Sequence, residues 1–406
     1  MKIGVLTFHW AQRFGALLQE WSLYKLLTDM GYEVKIINFQ PAPLVIWHWQ
    51  LKLSDMLFRR YIPRERPLAR TFFQALGVQI NALFIRNEVR VKKVVRNFYE
   101  EVFGRTLLKE KTITSLSELK QECLKYDICL VGSDQVWNPN LLRLSDFAYL
   151  LPFKLRKTKK VAFSASIAVE VSSIPEDIIR LYKKTLPDFS FISVREKSHA
   201  NWLSSLIKRK VYHTLDPTLL LDKRTFEKLS KETSIPRDRY VLIYNIHYSS
   251  LPLAEKIVET LQLPAIIYEK LPLFPLRKRI LISRSLYFLK NASSFLSLGP
   301  REFIYLLKNA EFVITDSFHG TALSIVFQKN FVSVITEATA STKSRITELL
   351  ECLQLNDRIL TLNDITDRNK LRTLLHRDID YDSVNTVLES LRRQSLELLR
   401  QALKGS

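Results

Sequence analysis

FVITDSFHGTALSIVF, residues 312–327, opens on a short apolar run of Phe312, Val313 and Ile314 that stops at Thr315, Asp316 and Ser317. His319 and Gly320 follow, and a second apolar pattern begins. This reads as a strand ending in a polar turn that opens a helix, with an imidazole at the junction. Open α/β sheets gather ligands at the carboxyl ends of their strands, and the first free N–H groups of a helix favour an anion. His319 can carry charge or move a proton near neutral pH. Ser317 and Thr321 can cap the helix and hold a ligand oxygen. The turn at 315–321 is therefore expected to bind an anion.

Working outward, the chain repeats this pattern. Lys2–Phe8 reads as a strand, Gly15–Met30 as a helix (Leu17, Leu18, Trp21, Tyr24 and Leu27 at helical spacing, with a stop at Gly31), and Tyr32–Phe39 as a second strand. Such a unit forms a parallel sheet with a right-handed crossover. Its turn, HWAQRFG, offers Arg13, Gly15 and several backbone amides to a ligand, while a single glycine falls short of a dinucleotide fingerprint. Further strands are expected at Ile128–Val131, Lys160–Ser164, Phe191–Val194 and Val211–Leu215. Each stops at polar groups, which would place Ser133, Asp134, Ser164, Ser166, Arg195 and Asp216 along one sheet edge. Asp216 is expected to stabilise its own turn. Residues 222–239 read as a connection to a second set, with strands at Tyr240–Ile246, Ala265–Tyr268, Phe312–Ile314 and Phe331–Ile335. A Ser/Thr loop then leads to Arg345, and leucine spacing over Ser383–Leu403 predicts a helix packed across both halves.

Composition bounds the partners. The chain has 406 residues, 47% hydrophobic and 25% charged, which describes a globular protein too long for one ordinary core. Its 61 Lys and Arg against 41 Asp and Glu give a formal charge of +20, which favours anionic partners. Between about 46 and 111, aromatic residues alternate with arginines (Trp47, Phe58, Arg59, Arg60, Tyr61, Arg64, Phe72), and Pro63 and Pro67 break the stretch into helical pieces. Basic amphipathic helices lie on anionic membranes, and equally pack as a solvated insertion. A second basic-aromatic loop covers Phe274–Asn291. No nucleic-acid motif accompanies either stretch. Cys123, Cys129 and Cys352 lack metal-ligand spacing and suit a reducing cytoplasm. Met1 leads straight into a strand pattern, so no cleavable signal is expected, and no apolar run is long enough to span a bilayer.

Six stretches, in order, resemble the polysaccharide pyruvyl transferase family: KIGVLTFHWAQRFGALLQEWSLYKLL from Lys2, VGSDQVWNPN from Val131, ISVREKS from Ile192, LDPTLLL from Leu215, GPREFIYLLKNAEFVITDSFHGTALSIVF from Gly299 and SRITELLECLQLNDR from Ser344. The resemblance implies an α/β chain of two Rossmann-like domains facing across a cleft, GT-B-like. The N-terminal domain (1–225) would carry the basic helical insertion, the C-terminal domain (226–382) the phosphate-binding turn, and residues 383–406 the crossing helix. It further implies transfer of a pyruvyl group from phosphoenolpyruvate to a sugar, giving a pyruvate ketal and free phosphate. The family's arginine in S-V-R-E falls on Arg195 and its histidine in S-F-H-G on His319. Arg13 stands where the family commonly has asparagine, and Leu298 where an acidic residue often precedes Gly-Pro.

On this reading Arg195 holds a carboxylate or phosphate through a bidentate fork. His319 is the general acid–base, with Asp316 as the acid nearest in sequence to orient it. Ser133, Asp134 and Gln135 shape the cleft or bind the acceptor. Arg13, Gly15, Ser164, Ser317, Gly320, Thr321 and Arg345 complete the substrate contacts, and no metal or cofactor is expected beyond phosphoenolpyruvate as donor. The acceptor is expected to be a saccharide, carried on an undecaprenyl-type lipid diphosphate at the inner face of a bacterial membrane. Two other readings fit the same fold: a GT-B-like glycosyltransferase using a nucleotide sugar, and a non-catalytic scaffold of polysaccharide assembly.

Overall fold

The computed structural model describes residues 1–8, 14–40, 93–104, 111–233, 239–268, 293–294, 298–336 and 340–404. The first of its two parallel sheets contains β1 (Lys2–Leu6), β2 (Glu33–Ile36), β3 (Ile128–Val131), β4 (Lys159–Ala165), β5 (Phe191–Val194) and β6 (Tyr212–His213), in the order β2-β1-β3-β4-β5-β6. The second contains β7 (Val241–Tyr244), β8 (Ala265–Tyr268), β9 (Ser293–Ser294), β10 (Phe312–Thr315), β11 (Asn330–Val334) and β12 (Ile359–Leu360), in the order β12-β11-β10-β7-β8-β9. β3, β5, β7, β8 and β10 are buried at every residue. That is why they read as continuous apolar runs: helices cover both faces of a parallel sheet.

The strand orders fix where ligands can gather. In the first sheet the chain reverses direction of growth between β1 and β3, and in the second between β7 and β10. Crevices at such switch points are the binding sites of open α/β sheets. Thr7 follows β1 and Ser133 follows β3; the segments after β7 and β10 carry His247, Asp316 and His319.

Seven helices concern the site: α1 (Phe14–Asp29), α2 (Lys197–Ile207), α3 (Pro217–Leu220), α4 (Pro300–Asn309), α5 (Phe318–Val326), α6 (Ala340–Cys352) and α7 (Tyr381–Lys404). Every residue of α1 from Phe14 to Leu23 is buried, including Gln19, Glu20 and Ser22. A helix buried all round lies inside a protein rather than on its surface. Here it lies between the two halves: Phe14 packs on Tyr268 with ring centroids 5.7 Å apart, and Trp21 on Phe226 at 5.4 Å. One hydrophobic core accordingly contains Ile3, Leu130 and Val161 of the first sheet together with Leu242, Tyr244 and Val313 of the second.

Residues 222–239, read from sequence as a connection, open with helix Lys223–Leu229, because the Asp222 carboxylate accepts the Thr225 amide at 2.8 Å and caps it. Most of the 46–111 insertion and the Phe274–Asn291 loop lie outside the described residues. Of the insertion, 93–102 is helical and buries Phe98 and Tyr99 in the shared core. Among the described residues no helix is long and apolar enough to cross a membrane.

Candidate active site

The site is built on Asp216. β6 ends at His213, Thr214 still donates its amide to Val194 O at 3.0 Å, and the chain then leaves the sheet. Pro217 opens α3, and Asp216 caps it: Oδ1 accepts from the Thr218 amide at 2.9 Å and the Thr218 hydroxyl at 2.6 Å. This is the local role its sequence neighbours predict. Oδ2 turns the other way. It accepts from Arg195 Nη1 at 2.6 Å and from Ser133 Oγ at 2.9 Å, and it lies 3.6 Å from His319 Nε2. Asp216 is fully buried. Burial by itself raises a carboxyl, but the facing His319 imidazole, the Arg195 guanidinium and Thr218 outweigh it and hold Asp216 far below the ordinary carboxylate range.

Each group around Asp216 has a structural reason to be there. The register of β4 against β5 shifts between Ala162 and Ala165, and Ser164 takes a left-handed φ of 56°. The kink turns the Ser164 hydroxyl onto Leu215 O at 2.7 Å, so Ser164 holds the Asp216 segment and is not presented to the cleft. Ser133 is equally enclosed: Thr7 Oγ1 donates to its carbonyl at 3.1 Å, and Gln19 Nε2 of α1 donates to Thr7 Oγ1 at 2.9 Å. Asp134, with φ 76°, places Oδ1 3.9 Å from Arg195 Nη2, and Gln135 pairs with Asn138 at 3.0 Å.

Arg195 is buried, with its guanidinium 4.1 Å above the centroid of the Phe318 ring. Cation–π stacking and the Asp216 pair fix its plane. Burial opposes its charge, and the carboxylates of Asp216, Glu196 and Asp134 more than restore it. The expected open fork is altered. Nη1 is taken by Asp216, and the remaining edge, Nε and Nη2, is buried without a hydrogen-bond partner, bordered by Glu196 and Asp134 at 3.8 and 3.9 Å. Glu196 accepts from Ser166 Oγ and lies 3.4 Å from His199 Nδ1, while His199 Nε2 donates to Val169 O at 2.8 Å. Burial would lower His199; the Glu196 carboxylate reverses that and raises it.

His319 comes from the other half of the chain. Ser317 caps α5, its Oγ accepting the Gly320 amide at 3.4 Å, which leaves the Phe318 and His319 amides as the first helical N–H groups. Gly320 is required: a Cβ there would lie 2.4 Å from Thr315 Oγ1. Gly15, at the start of α1, is required by the imidazole itself, since a Cβ on it would lie 2.4 Å from His319 Nδ1. The ring therefore sits between the first turn of α1 and Asp216, at the meeting of the two switch points.

Two further expectations are corrected. Asp316 accepts the His247 amide, and the carboxylate at the His319 ring is Asp216, because the chain after β10 turns the Asp316 side chain toward the neighbouring β7 loop. Burial raises the Asp316 carboxyl to about 7, although the His247 amide favours its charged form. Thr321 is fully buried and hydrogen-bonded to Ser317 O at 3.1 Å and Ser333 Oγ at 2.7 Å, so its hydroxyl ties α5 to β11 and offers nothing to a ligand. Arg345 is buried on α6. Arg13 lies outside the described residues. Among the described residues no group of His, Cys, Asp or Glu could hold a metal ion.

The fold is shared with sugar-nucleotide enzymes. The UDP-GlcNAc 2-epimerase of Methanocaldococcus jannaschii superposes with a TM-score of 0.52 at 12% identity, covering 94% of this chain and 93% of that one. The S. aureus MnaA–UDP co-structure gives 0.51 at 12% identity, covering 98% of each chain. At such identity the likeness shows a GT-B-like fold and nothing of the reaction. No protein of curated function matches the chain. The model of the family described as polysaccharide pyruvyl transferase matches residues 14–337, a span that includes Gly15, Ser133, Arg195, Asp216 and His319. The chain belongs to the polysaccharide pyruvyl transferase family.

Proposed function

We propose that this protein transfers the pyruvyl group of phosphoenolpyruvate to two hydroxyls of a saccharide, forming a pyruvate ketal and releasing phosphate. The observation that carries the reading is the chain Arg195–Asp216–His319, drawn from both halves and enclosed where their switch points meet. His319 protonates the methylene carbon of phosphoenolpyruvate, which becomes the methyl group and leaves oxocarbenium character on the adjacent carbon. A sugar hydroxyl adds to that carbon, phosphate leaves, and a second hydroxyl closes the ring. Of the two hydroxyl protons, one replaces the proton His319 delivered and the other departs with phosphate. Asp216 faces Nε2 and stabilises the imidazolium. The first amides of α5 suit an anionic donor.

The acceptor is a saccharide of a polysaccharide pathway, and a lipid diphosphate carrier fits a strongly cationic chain. Cosedimentation with anionic and neutral vesicles tests that part separately. For the reaction, phosphate release from phosphoenolpyruvate with a panel of saccharides is the direct assay, run beside thermal melts with phosphoenolpyruvate and with UDP-sugars. A melting shift with phosphoenolpyruvate, and loss of turnover by roughly 10²–10⁴-fold in His319→Ala, support the proposal. A shift with UDP-sugars alone overturns it.

A further inference from the structure

The buried stripe of α7 runs Val384, Leu388, Ser395, Leu398, Leu399, Ala402 and Leu403. Ser395 is its one polar member, 2% exposed, and a buried hydroxyl among leucines calls for a partner. That partner is the amide of Leu215, which donates to Ser395 Oγ at 3.0 Å from 180 positions away in sequence. Leu215 is the residue before Asp216, and its amide is the first after β6 to lose a strand partner, since Thr214 is the last to pair with β5.

Both polar groups of Leu215 are thus held by buried serine hydroxyls: the carbonyl accepts from Ser164 at 2.7 Å, and the amide donates to Ser395. One turn earlier on the same helix, Arg392 donates from Nε to Leu219 O at 2.5 Å and from Nη2 to Leu221 O at 3.1 Å, gripping the far end of α3. The start of α7 is anchored to the second half, where Tyr381 Oη donates to Lys329 O at 2.5 Å. Lys329 follows α5, the helix of His319. α7 therefore bridges the segment bearing Asp216 and the segment behind His319.

We propose that Ser395 is a positioning residue for this site: through the Leu215 peptide it sets where the Asp216 carboxylate stands relative to Arg195 and His319. The C-terminal helix is then a working part of the active site. The catalytic side of this proposal rests on the pyruvyl-transfer reading, and its structural side does not.

Ser395→Ala, Ser395→Thr and Leu388→Ala are compared with the parent at a temperature below all four melting points. Ser395→Ala is expected to lower kcat on the order of tenfold, as small misplacements of catalytic groups do, with KM for phosphoenolpyruvate within about twofold. Ser395→Thr restores the hydroxyl and most of kcat. Leu388→Ala loosens the same helix without touching residue 215, and is expected to lower the melting point while kcat holds. An unchanged kcat in Ser395→Ala, or an equal loss in Leu388→Ala, overturns the proposal. A second arm needs no substrate: urea unfolding of Ser395→Ala, Asp216→Asn and the double variant. Sub-additive effects support coupling of the two residues, and additive effects overturn it. Should the parent fail to turn over phosphoenolpyruvate at all, the reaction assignment falls while the urea cycle still decides the role of Ser395.

Discussion

At the scale of single residues, Asp216 shows what sequence can and cannot disclose about a site. Its capping of α3 is local, two residues away, and is written in the spacing Asp-Pro-Thr. Its other oxygen meets Arg195 and Ser133, 21 and 83 positions away, and no local pattern announces such partners. The same holds for Thr321, a hydroxyl beside a histidine that faces β11 instead of the cleft. Asp216→Asn leaves the buried Arg195 charge without its anion, and breaking a buried pair costs about 3–5 kcal/mol. Because Asp216 is depressed in the folded state, its contribution is present above the ordinary carboxylate pKa and is lost as pH falls. The urea-measured penalty of Asp216→Asn is accordingly expected at pH 7 and to shrink in acid; a penalty independent of pH would contradict this. Glu20 has the opposite sign. Burial raises it to about 8, despite the 2.6 Å bond its Oε2 accepts from Tyr99 Oη. The fold then keeps a proton that the unfolded chain releases near pH 4.5, so stability is full below that pH and declines as pH rises toward 8. The slope is at most about 1.4 kcal/mol per pH unit. Asp316, raised to about 7, adds to the same decline. Glu20→Gln removes its own share, so melting points of variant and parent are expected to diverge in the variant's favour between pH 5 and pH 8; parallel curves would refute it.

At the scale of elements, the strands were legible because parallel strands buried on both faces must be apolar without interruption. Ile128–Val131, Phe191–Val194 and Ala265–Tyr268 read the same in sequence and structure. β12, two residues long, offered no pattern to read. Helix Lys223–Leu229 was hidden by its polar composition. α1 was found by its helical spacing, but the burial of Phe14–Leu23 was not, since Gln19, Glu20 and Ser22 look like a solvated face until their partners are seen. That burial gives Gly15 a role beyond turn geometry. A methyl group there would lie 2.4, 2.7 and 2.8 Å from Nδ1, Cγ and Cβ of His319, so the imidazole and the helix must part. Gly15→Ala is expected to cost about 1–3 kcal/mol, as overpacking does, and to lower kcat by more than the melting point suggests. Measuring both in one preparation decides the matter, because a variant that is destabilised yet turns over normally would show that His319 can move without consequence.

At the scale of the whole molecule, the charge of +20 says what kind of partner the surface attracts, but the cohesion of the fold lies in its centre. Two facing α/β halves suggest a hinge, and relative motion is the default where an interface is small and polar. Here the interface is apolar at its centre. Phe14 on Tyr268 and Trp21 on Phe226 join the halves through rings in one apolar core. α7 and α1 are shared by both, and the rim is closed by polar contacts such as Glu348 of α6, which accepts the Ser198 amide at 3.2 Å and so caps α2, a helix whose own N-cap residue Glu196 makes no side-chain cap. Exposing that core by separating the halves would cost roughly 25 cal/mol for each Å² of apolar surface, and neither half holds α1 and α7 alone. The chain is therefore expected to unfold as one unit. Scanning calorimetry should show a single transition whose calorimetric and van't Hoff enthalpies agree, and residues 1–233 expressed alone should lack a cooperative melt. Two resolved transitions, or a cooperatively folded fragment, would mean that the halves are independent and that the site between them is assembled only when they close.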